Sequence, residues 1–365
     1  MFPGEEKKKT NAVLVLSDGT VYYGMGVGAE KTVSGELVFT TGMVGYQEAL
    51  TDPSYKGQIL TFTYPLIGNY GVNYEDFESE RIHALGVVMR EACPAPFHSK
   101  LTKTIHEFLV DFDVPGISEV DTRAIVRKIR NFGVMPASLS VYTGEADIGE
   151  LIERAKAVDY SSFDFVKEVA SKKVEEYFAK NEKKRVALID CGLKMSIIRE
   201  LVARGISVTS VPPTMSAREI LGRKPDGLVV SNGPGDPARL GYIFRTIRAL
   251  VPKMPYMGIC MGHQLLAHAI GGKTYKLKFG HRSLNQPVKD MRTGKVYITA
   301  QNHGFAVDEK SLPKGWGVSH INCNDKTVEG LCHEELPAFS IQFHPEANPG
   351  PLDTRYLFDE YIKML

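Results

Sequence analysis

At 365 residues the chain is long enough for two domains, and each can bury a core without staples. A formal charge of +1 gives no bulk field to gather nucleic acid or an anionic membrane surface. Hydrophobic residues at 43% and charged residues at 24% are ordinary for a globular protein in water, and no apolar run is long enough to span a bilayer. Met1–Thr10 carries Glu5, Glu6 and three lysines with no apolar segment behind them, so it reads as a short solvated tail and not a secretory signal. The five cysteines are an odd number with no Cys-x-x-Cys spacing. That argues against a disulfide framework or a zinc site and for a reducing, cytoplasmic setting.

Residues 11 to about 92 are β-rich. Ala12–Leu16 and Val21–Tyr23 flank Ser17-Asp18-Gly19-Thr20, a hairpin signal because Asp-Gly accepts the positive φ of a tight turn. Gly24, Gly26 and Gly28 do not form a dinucleotide loop, since a strand-like stretch, Leu37–Thr41, follows where a helix would be needed. Residues 99–112 and 121–132 read as helices, the second with Asp121 as N-cap and Gly133 as its stop. Residues 1–150 are therefore expected to form a β-rich α+β domain, and the charged stretch 151–184 a linker region ending near Lys183.

From residue 185 the pattern changes. Val186–Asp190, Ile206–Val211, Gly227–Ser231 and Tyr256–Ile259 are strands, and a helical pattern through Ile197, Ile198 and Leu201 falls between the first two. This alternation predicts an α/β domain over 185–365, a mostly parallel sheet with helices on both faces. Active sites in such sheets lie at the carboxyl ends of the strands.

Three segments there carry chemistry. Gly258-Ile259-Cys260-Met261-Gly262-His263-Gln264 runs from strand into helix, with glycines two residues either side of the cysteine. Such an elbow lifts the sulfur to a helix N-terminus, where exposed N–H groups and the helix dipole favour the thiolate. Read alone, it also fits a buried cysteine at a tight turn. Phe343-His344-Pro345-Glu346 ends another strand; residues two apart on extended backbone point the same way, so Glu346 can orient His344 as a general base. Read alone, it also fits a surface turn. Ser231-Asn232-Gly233-Pro234-Gly235-Asp236-Pro237 is a rigid turn whose N–H groups can approach a ligand, or an ordinary strand-to-helix turn. His303, in Gln301-Asn302-His303-Gly304-Phe305, lacks a nearby carboxylate and ranks below His344; His263, on the helix just after Cys260, is read as packing.

Together these four segments resemble the class I, triad-type glutamine amidotransferases over roughly 185–365. The first domain narrows the resemblance. Phe39–Tyr55 with its Thr-Gly-Met-Val-Gly-Tyr-Gln-Glu-Ala-Leu-Thr-Asp-Pro-Ser-Tyr run, Thr63–Gly71, Val120–Arg123 and the ending Pro349–Thr354 are similar to the small subunit of carbamoyl phosphate synthetase. The resemblance implies that Cys260 attacks the side-chain amide of glutamine, with His344 as base and Glu346 as its orienter. It implies that Gly235 and Met261 supply oxyanion N–H groups, and that Ser54, Gly233, Gln264, Asn302, Gly304 and Phe305 hold glutamine. Ser54 would bring the site near the domain interface. It further implies no cofactor in this chain, and a separate large subunit that receives the ammonia and uses MgATP and bicarbonate to make carbamoyl phosphate for arginine and pyrimidine biosynthesis. The alternatives are the glutaminase subunit of a different ammonia-using synthetase, a cysteine peptidase or esterase, and a non-catalytic regulatory subunit with a relic site, against which the intact triad argues. Two departures stand out: Met261 where leucine is common, and Arg282-Ser283-Leu284 where the family segment is smaller and glycine-rich.

Overall fold

The computed structural model describes residues 11–365, so the N-terminal tail read from the sequence lies outside the described residues. Two compact units emerge. The first holds the residues up to Leu50 together with Gly57–Asp76 and Arg81–Tyr160; the second holds Thr51–Lys56, Phe77–Glu80 and Ser161–Leu365. The second unit thus begins at Ser161, inside the stretch read as a linker, and it also takes two short segments from the N-terminal half.

The first unit is a closed barrel of seven strands, in the order Ala12–Leu16, Val21–Gly28, Pro115–Ser118, Gly86–Val88, Gln58–Phe62, Thr32–Thr40, Met135–Val141 and back to the first. The Asp-Gly hairpin forms as expected: Val15 faces Val21 across it, and Gly19 takes φ +86°. The helix Thr122–Phe132 starts where the Asp121 side chain accepts from Ala124 N at 2.9 Å and stops at Gly133, φ +99°. The other helix is shorter than the sequence pattern suggests and covers Ile105–Asp111. Its start is set by a reciprocal box, Thr104 accepting from Glu107 N while Glu107 accepts from Thr104 N, and that fixes 99–104 outside the helix.

The second unit carries a ten-stranded sheet. Its parallel part runs Ile206–Val211, Lys184–Ile189, Gly227–Val230, Tyr256–Ile259, Ala338–Ile341. One edge is capped by the antiparallel strand Glu175–Tyr177, and this strand and a short helix at Val166–Val169 occupy the charged segment that showed few fold signals. Beyond Ala338–Ile341 the sheet continues antiparallel through Val328–His333, Val296–Val307, Thr274–Asp290 and Trp316–Asn322.

Successive strand residues point to opposite faces. Ala187, Ile189, Leu228 and Val230 pack under Ile243, Ile247 and Leu250 of the helix Gly241–Leu250 and under Leu265 and Leu266 of the helix Met261–Ala269. Val186, Leu188, Val229, Met257 and Ile341 pack on the other side, against Ile197, Ile198 and Leu201 and against Leu357, Phe358 and Tyr361. Each such side chain, fully removed from water, contributes roughly 1.5–3 kcal/mol before entropy is counted. The sheet is therefore held between two apolar layers, and the polar residues at its carboxyl edge stand on a packed base.

Candidate active site

The strand Tyr256–Ile259 feeds directly into the helix Met261–Ala269, and Cys260 sits at the junction with φ +53° and ψ −99°. A non-glycine residue there costs on the order of 1–3 kcal/mol, which the surroundings must hold in place. They do so by close backbone approach. A Cβ at Gly258 would lie 2.7 Å from the Gly262 carbonyl, and one at Gly262 would lie 2.3 Å from the Val230 carbonyl oxygen. Cys260 N donates to Ile341 O at 2.8 Å, Gly262 N to Ser231 O at 3.1 Å, and the Tyr256 hydroxyl to Gly262 O at 2.8 Å. Gly262, His263 and Gln264 spend their amides on Ser231 and Cys260 carbonyls, so among the described residues the Met261 N–H is the one at this helix start with no backbone partner.

His344 lies beyond the end of its strand, which stops at Ile341, and is not in regular extended structure as the sequence suggested. It is held by a single bridge to Ala300, its N–H donating to Ala300 O at 2.9 Å. The geometry expected of the pair is nevertheless present, with His344 Nδ1 2.7 Å from Glu346 Oε1. Glu346 also takes the Lys194 ammonium at 3.1 Å, and Lys194 donates to Ala347 O at 2.7 Å. His344, Glu346, Lys194 and Cys260 are all buried.

Burial opposes a charge on His344, yet the ring is pushed up to about 10, because the Glu346 carboxylate and then the Cys260 sulfur favour the imidazolium. Its Nε2 makes no hydrogen bond of ordinary geometry, so the influence of the sulfur is that of a neighbour not yet in hydrogen-bonding alignment. Burial likewise opposes ionisation of Glu346, but Lys194 and His344 hold it down to about 2. The site can keep an imidazolium at neutral pH beside the sulfur.

The sulfur has two further neighbours at 3.6 Å, the Asn302 carbonyl oxygen and the Gln342 amide, which donates to it. Gln342 Oε1 accepts from Gln264 at 3.0 Å, and Gln264 also donates to Phe305 O at 2.9 Å. Asn302 donates to Asp52 at 2.9 Å. Asn232 donates to Ser54 Oγ at 2.9 Å and to Asp52 at 3.2 Å, and accepts from Lys194 N at 3.1 Å. Ser54 and Asp52 belong to Thr51–Lys56, one of the two short segments grouped with the second unit, so these bonds are internal to that unit. In the Ser231–Pro237 loop, Gly233 passes so close to Cys191 that a Cβ would meet its carbonyl oxygen at 2.1 Å, and Gly235 has φ +91°.

Four members of this constellation escaped sequence reasoning. Asp52 and Asn232 lie inside segments that the sequence marks, and Lys194 and Gln342 outside them, but none carries a spacing that distinguishes it from other polar residues. The remaining histidines are placed otherwise. His263 packs inside with Nδ1 2.9 Å from Ser340 Oγ, and burial pushes it down to about 3, so it stays neutral. His303, depressed by burial, donates from Nδ1 to Phe305 O at 2.8 Å and sets Nε2 2.9 Å from Gln301 Oε1. His281, His303 and Glu329 form the one buried group among the described residues with metal-ligand atoms close together. The Gln301 amide already stands against all three, at 3.1, 2.9 and 3.0 Å, so a cation would have to displace it.

Two family models match the chain, glutamine amidotransferase class-I over residues 187–364 and the carbamoyl-phosphate synthase small chain, CPSase domain, over 14–139. A carbamoyl phosphate synthase small chain of Methanocaldococcus jannaschii is 54% identical over 97% of this chain and 98% of its own length. Those of Archaeoglobus fulgidus and Staphylococcus epidermidis are 50% and 51% identical, over 97% and 96% of this chain and 98% and 95% of theirs. With both parts matched and the identity extending over nearly the whole length, the chain belongs to the carbamoyl phosphate synthase small chain family and carries a class I glutamine amidotransferase domain.

Proposed function

We propose that this chain, the glutamine-hydrolysing small subunit of a carbamoyl phosphate synthase, works through a γ-glutamyl thioester on Cys260. The thiol proton passes to His344 Nε2 and the sulfur attacks the side-chain carbonyl carbon of L-glutamine. The N–H groups of Gly235 and Met261 take the developing oxyanion. On collapse the C–N bond breaks, His344 returns its proton to the leaving nitrogen, and ammonia departs. The neutral imidazole then takes a proton from water, the hydroxide attacks the thioester, and glutamate leaves with the proton restored to sulfur. Glu346 keeps the imidazole oriented and stabilises its charged form. Ser54, Gly233, Gln264, Asn302, Gly304 and Phe305 hold glutamine, and Asp52 and Asn232 position Ser54 and Asn302.

The observation that supports this reading is the buried His344–Glu346–Lys194 relay beside a cysteine in a strained elbow. The ammonia is delivered in the cytoplasm to a large subunit that supplies ATP, Mg and bicarbonate chemistry, and no cofactor is assigned to this chain. The test mixes wild type and Cys260→Ser with a large subunit and supplies glutamine or ammonia. The variant complex is expected to make carbamoyl phosphate from ammonia alone. Equal glutamine-driven synthesis by both would remove the nucleophile assignment.

A further inference from the structure

The side chains of the strand Tyr256–Ile259 are apolar but for one group, the Tyr256 hydroxyl. Tyr256 is fully buried, in the apolar cluster that holds Val230, Met261 and Leu265. A hydroxyl taken so far from water must find a partner or destabilise the fold. Its partner is Gly262 O at 2.8 Å, in the first turn of the helix Met261–Ala269. Gly258, two residues on and on the same face of the strand, makes room for the contact. A Cβ there would stand 2.9 Å from the hydroxyl and 2.7 Å from Gly262 O. Burial pushes the phenol well above its ordinary value of 10, so the hydroxyl keeps its proton and remains a donor.

From Gly262 the contact runs on towards the sulfur's own residue. The Gly262 carbonyl shares a peptide unit with His263 N–H, which donates to Cys260 O at 3.1 Å. Cys260 O also takes Gln264 N at 3.2 Å, and its carbonyl shares a peptide unit with Met261 N–H, the donor left without a backbone partner at this helix start. Donation to a peptide carbonyl draws electron density from the nitrogen of the same unit and makes its N–H a stronger donor. Hydrogen bonds in series strengthen one another in this way, most of all away from water. Tyr256, Cys260, Met261, Gly262 and His263 are all buried.

We propose that Tyr256 is a positioning residue for the oxyanion. Its hydroxyl, acting through the Gly262 and Cys260 peptide units, strengthens and aims the Met261 N–H at the charge that develops on the glutamine amide oxygen. This rests on the reading that glutamine reacts at Cys260 with Met261 as an oxyanion donor. One such donor is worth about 10²–10³ in rate, so a change of about 10–30% in its strength alters the rate roughly two- to eightfold. The charge exists only on the way to the tetrahedral intermediate, so the binding of glutamine itself should not feel the change.

The experiment compares wild type, Tyr256→Phe, Tyr256→monofluorotyrosine and Tyr256→difluorotyrosine, fluorinated beside the hydroxyl, each in complex with the large subunit. Fluorine there makes the hydroxyl a stronger donor with little change in shape. Single-turnover hydrolysis gives the chemical rate and the half-saturating glutamine concentration. Melting temperature and ammonia-driven carbamoyl phosphate synthesis report on folding and assembly. Y256F should lower the chemical rate roughly two- to eightfold with half-saturation unchanged. The fluorinated chains should exceed wild type, the difluorinated one most, again with half-saturation unchanged. A hydroxyl that only satisfies its own burial would move the melting temperature in Y256F and leave the rate indifferent to donor strength.

An unchanged rate in Y256F would overturn the proposal, as would a loss shared between rate and half-saturation. Fluorinated chains that match wild type, or run slower, would overturn it too, and they decide the matter even where Y256F folds poorly. Failure of the wider reading looks different: glutamine hydrolysis would then survive Cys260→Ser, whatever happens at Tyr256.

Discussion

Replacing Glu346 by glutamine keeps the shape of the group that bonds His344 and removes its charge. In the native site Glu346 Oε1 stands 2.7 Å from Nδ1, and the ring is pushed from 6.5 to about 10 even though burial works against it. That displacement corresponds to about 5 kcal/mol in favour of the imidazolium, and Glu346 is the leading favourable cause. Losing about 3–5 kcal/mol of it translates into roughly 10²–10⁴-fold slower thioester formation. The assay is the burst of glutamate at neutral pH, with ammonia-driven carbamoyl phosphate synthesis as the control for assembly. A Glu346→Gln complex that keeps more than about a tenth of the wild-type glutaminase rate would refute the reasoning.

The same substitution strands Lys194, which is buried and loses its 3.1 Å partner. Removing one member of a buried pair costs about 3–5 kcal/mol, offset here by the Ala347 carbonyl and the nearby charge of Glu78. The melting temperature should fall, and adding Lys194→Met should restore part of it without restoring activity. The pH dependence has a definite sign. His344 is raised in the fold, so its contribution to stability is full below 6.5 and fades as pH climbs through about 10. Glu346 is lowered, so its contribution is full above 4.5 and fades as pH drops through about 2. Both slopes should shrink in the variant.

Gly262→Ala would put a Cβ 2.3 Å from Val230 O, so a drop in melting temperature is expected together with loss of glutaminase activity; normal stability and rate would show that the elbow does not need this approach. Asp52→Asn weakens the carboxylate that accepts from Asn302, Asn232 and Ser54 N, and should raise KM for glutamine roughly tenfold; an unchanged KM would detach Asp52 from substrate binding. His303→Asn should slow the burst less than His344→Asn, since His303 is held neutral against Phe305 O and Gln301; comparable losses would reverse that ranking.

Much of this arrangement was legible in the sequence, for reasons that differ by segment. The strand Tyr256–Ile259 falls where its apolar run places it, as expected of a strand buried on both faces, and Ile206–Val211 is marked by the β-branched residues Ile206, Val208, Thr209 and Val211. The Asp-Gly turn and the Asp121 cap are local chemistry, readable without tertiary information. The helix at Ile105–Asp111 was overextended because Leu101 falls four residues before Ile105 and seven before Phe108, while the Thr104–Glu107 box that overrides this spacing is a pair of specific hydrogen bonds. In the same way, the charged composition of 166–177 concealed a helix and an edge strand: an edge strand has one neighbour and needs little apolar content to form.

The site divides along the same line. Cys260, His344 and Glu346 are marked by backbone requirements: glycines at an elbow, a proline after the base. Lys194, Asp52 and Asn232 have no such marker, since a polar residue in a loop looks the same whether it is solvated or buried against a partner 152 or 180 residues away. Yet these unmarked groups determine how the marked ones behave. Without Lys194, Glu346 would lose the largest of the charges that offset its desolvation and keep only His344, so its hold on the His344 charge would weaken. The intact sequence motif would remain in such a chain while the imidazolium beside the sulfur lost part of its support. The chemistry therefore depends on a lysine contributed by the turn after Lys184–Ile189, and Lys194→Met alone should depress the glutaminase rate towards that of Glu346→Gln.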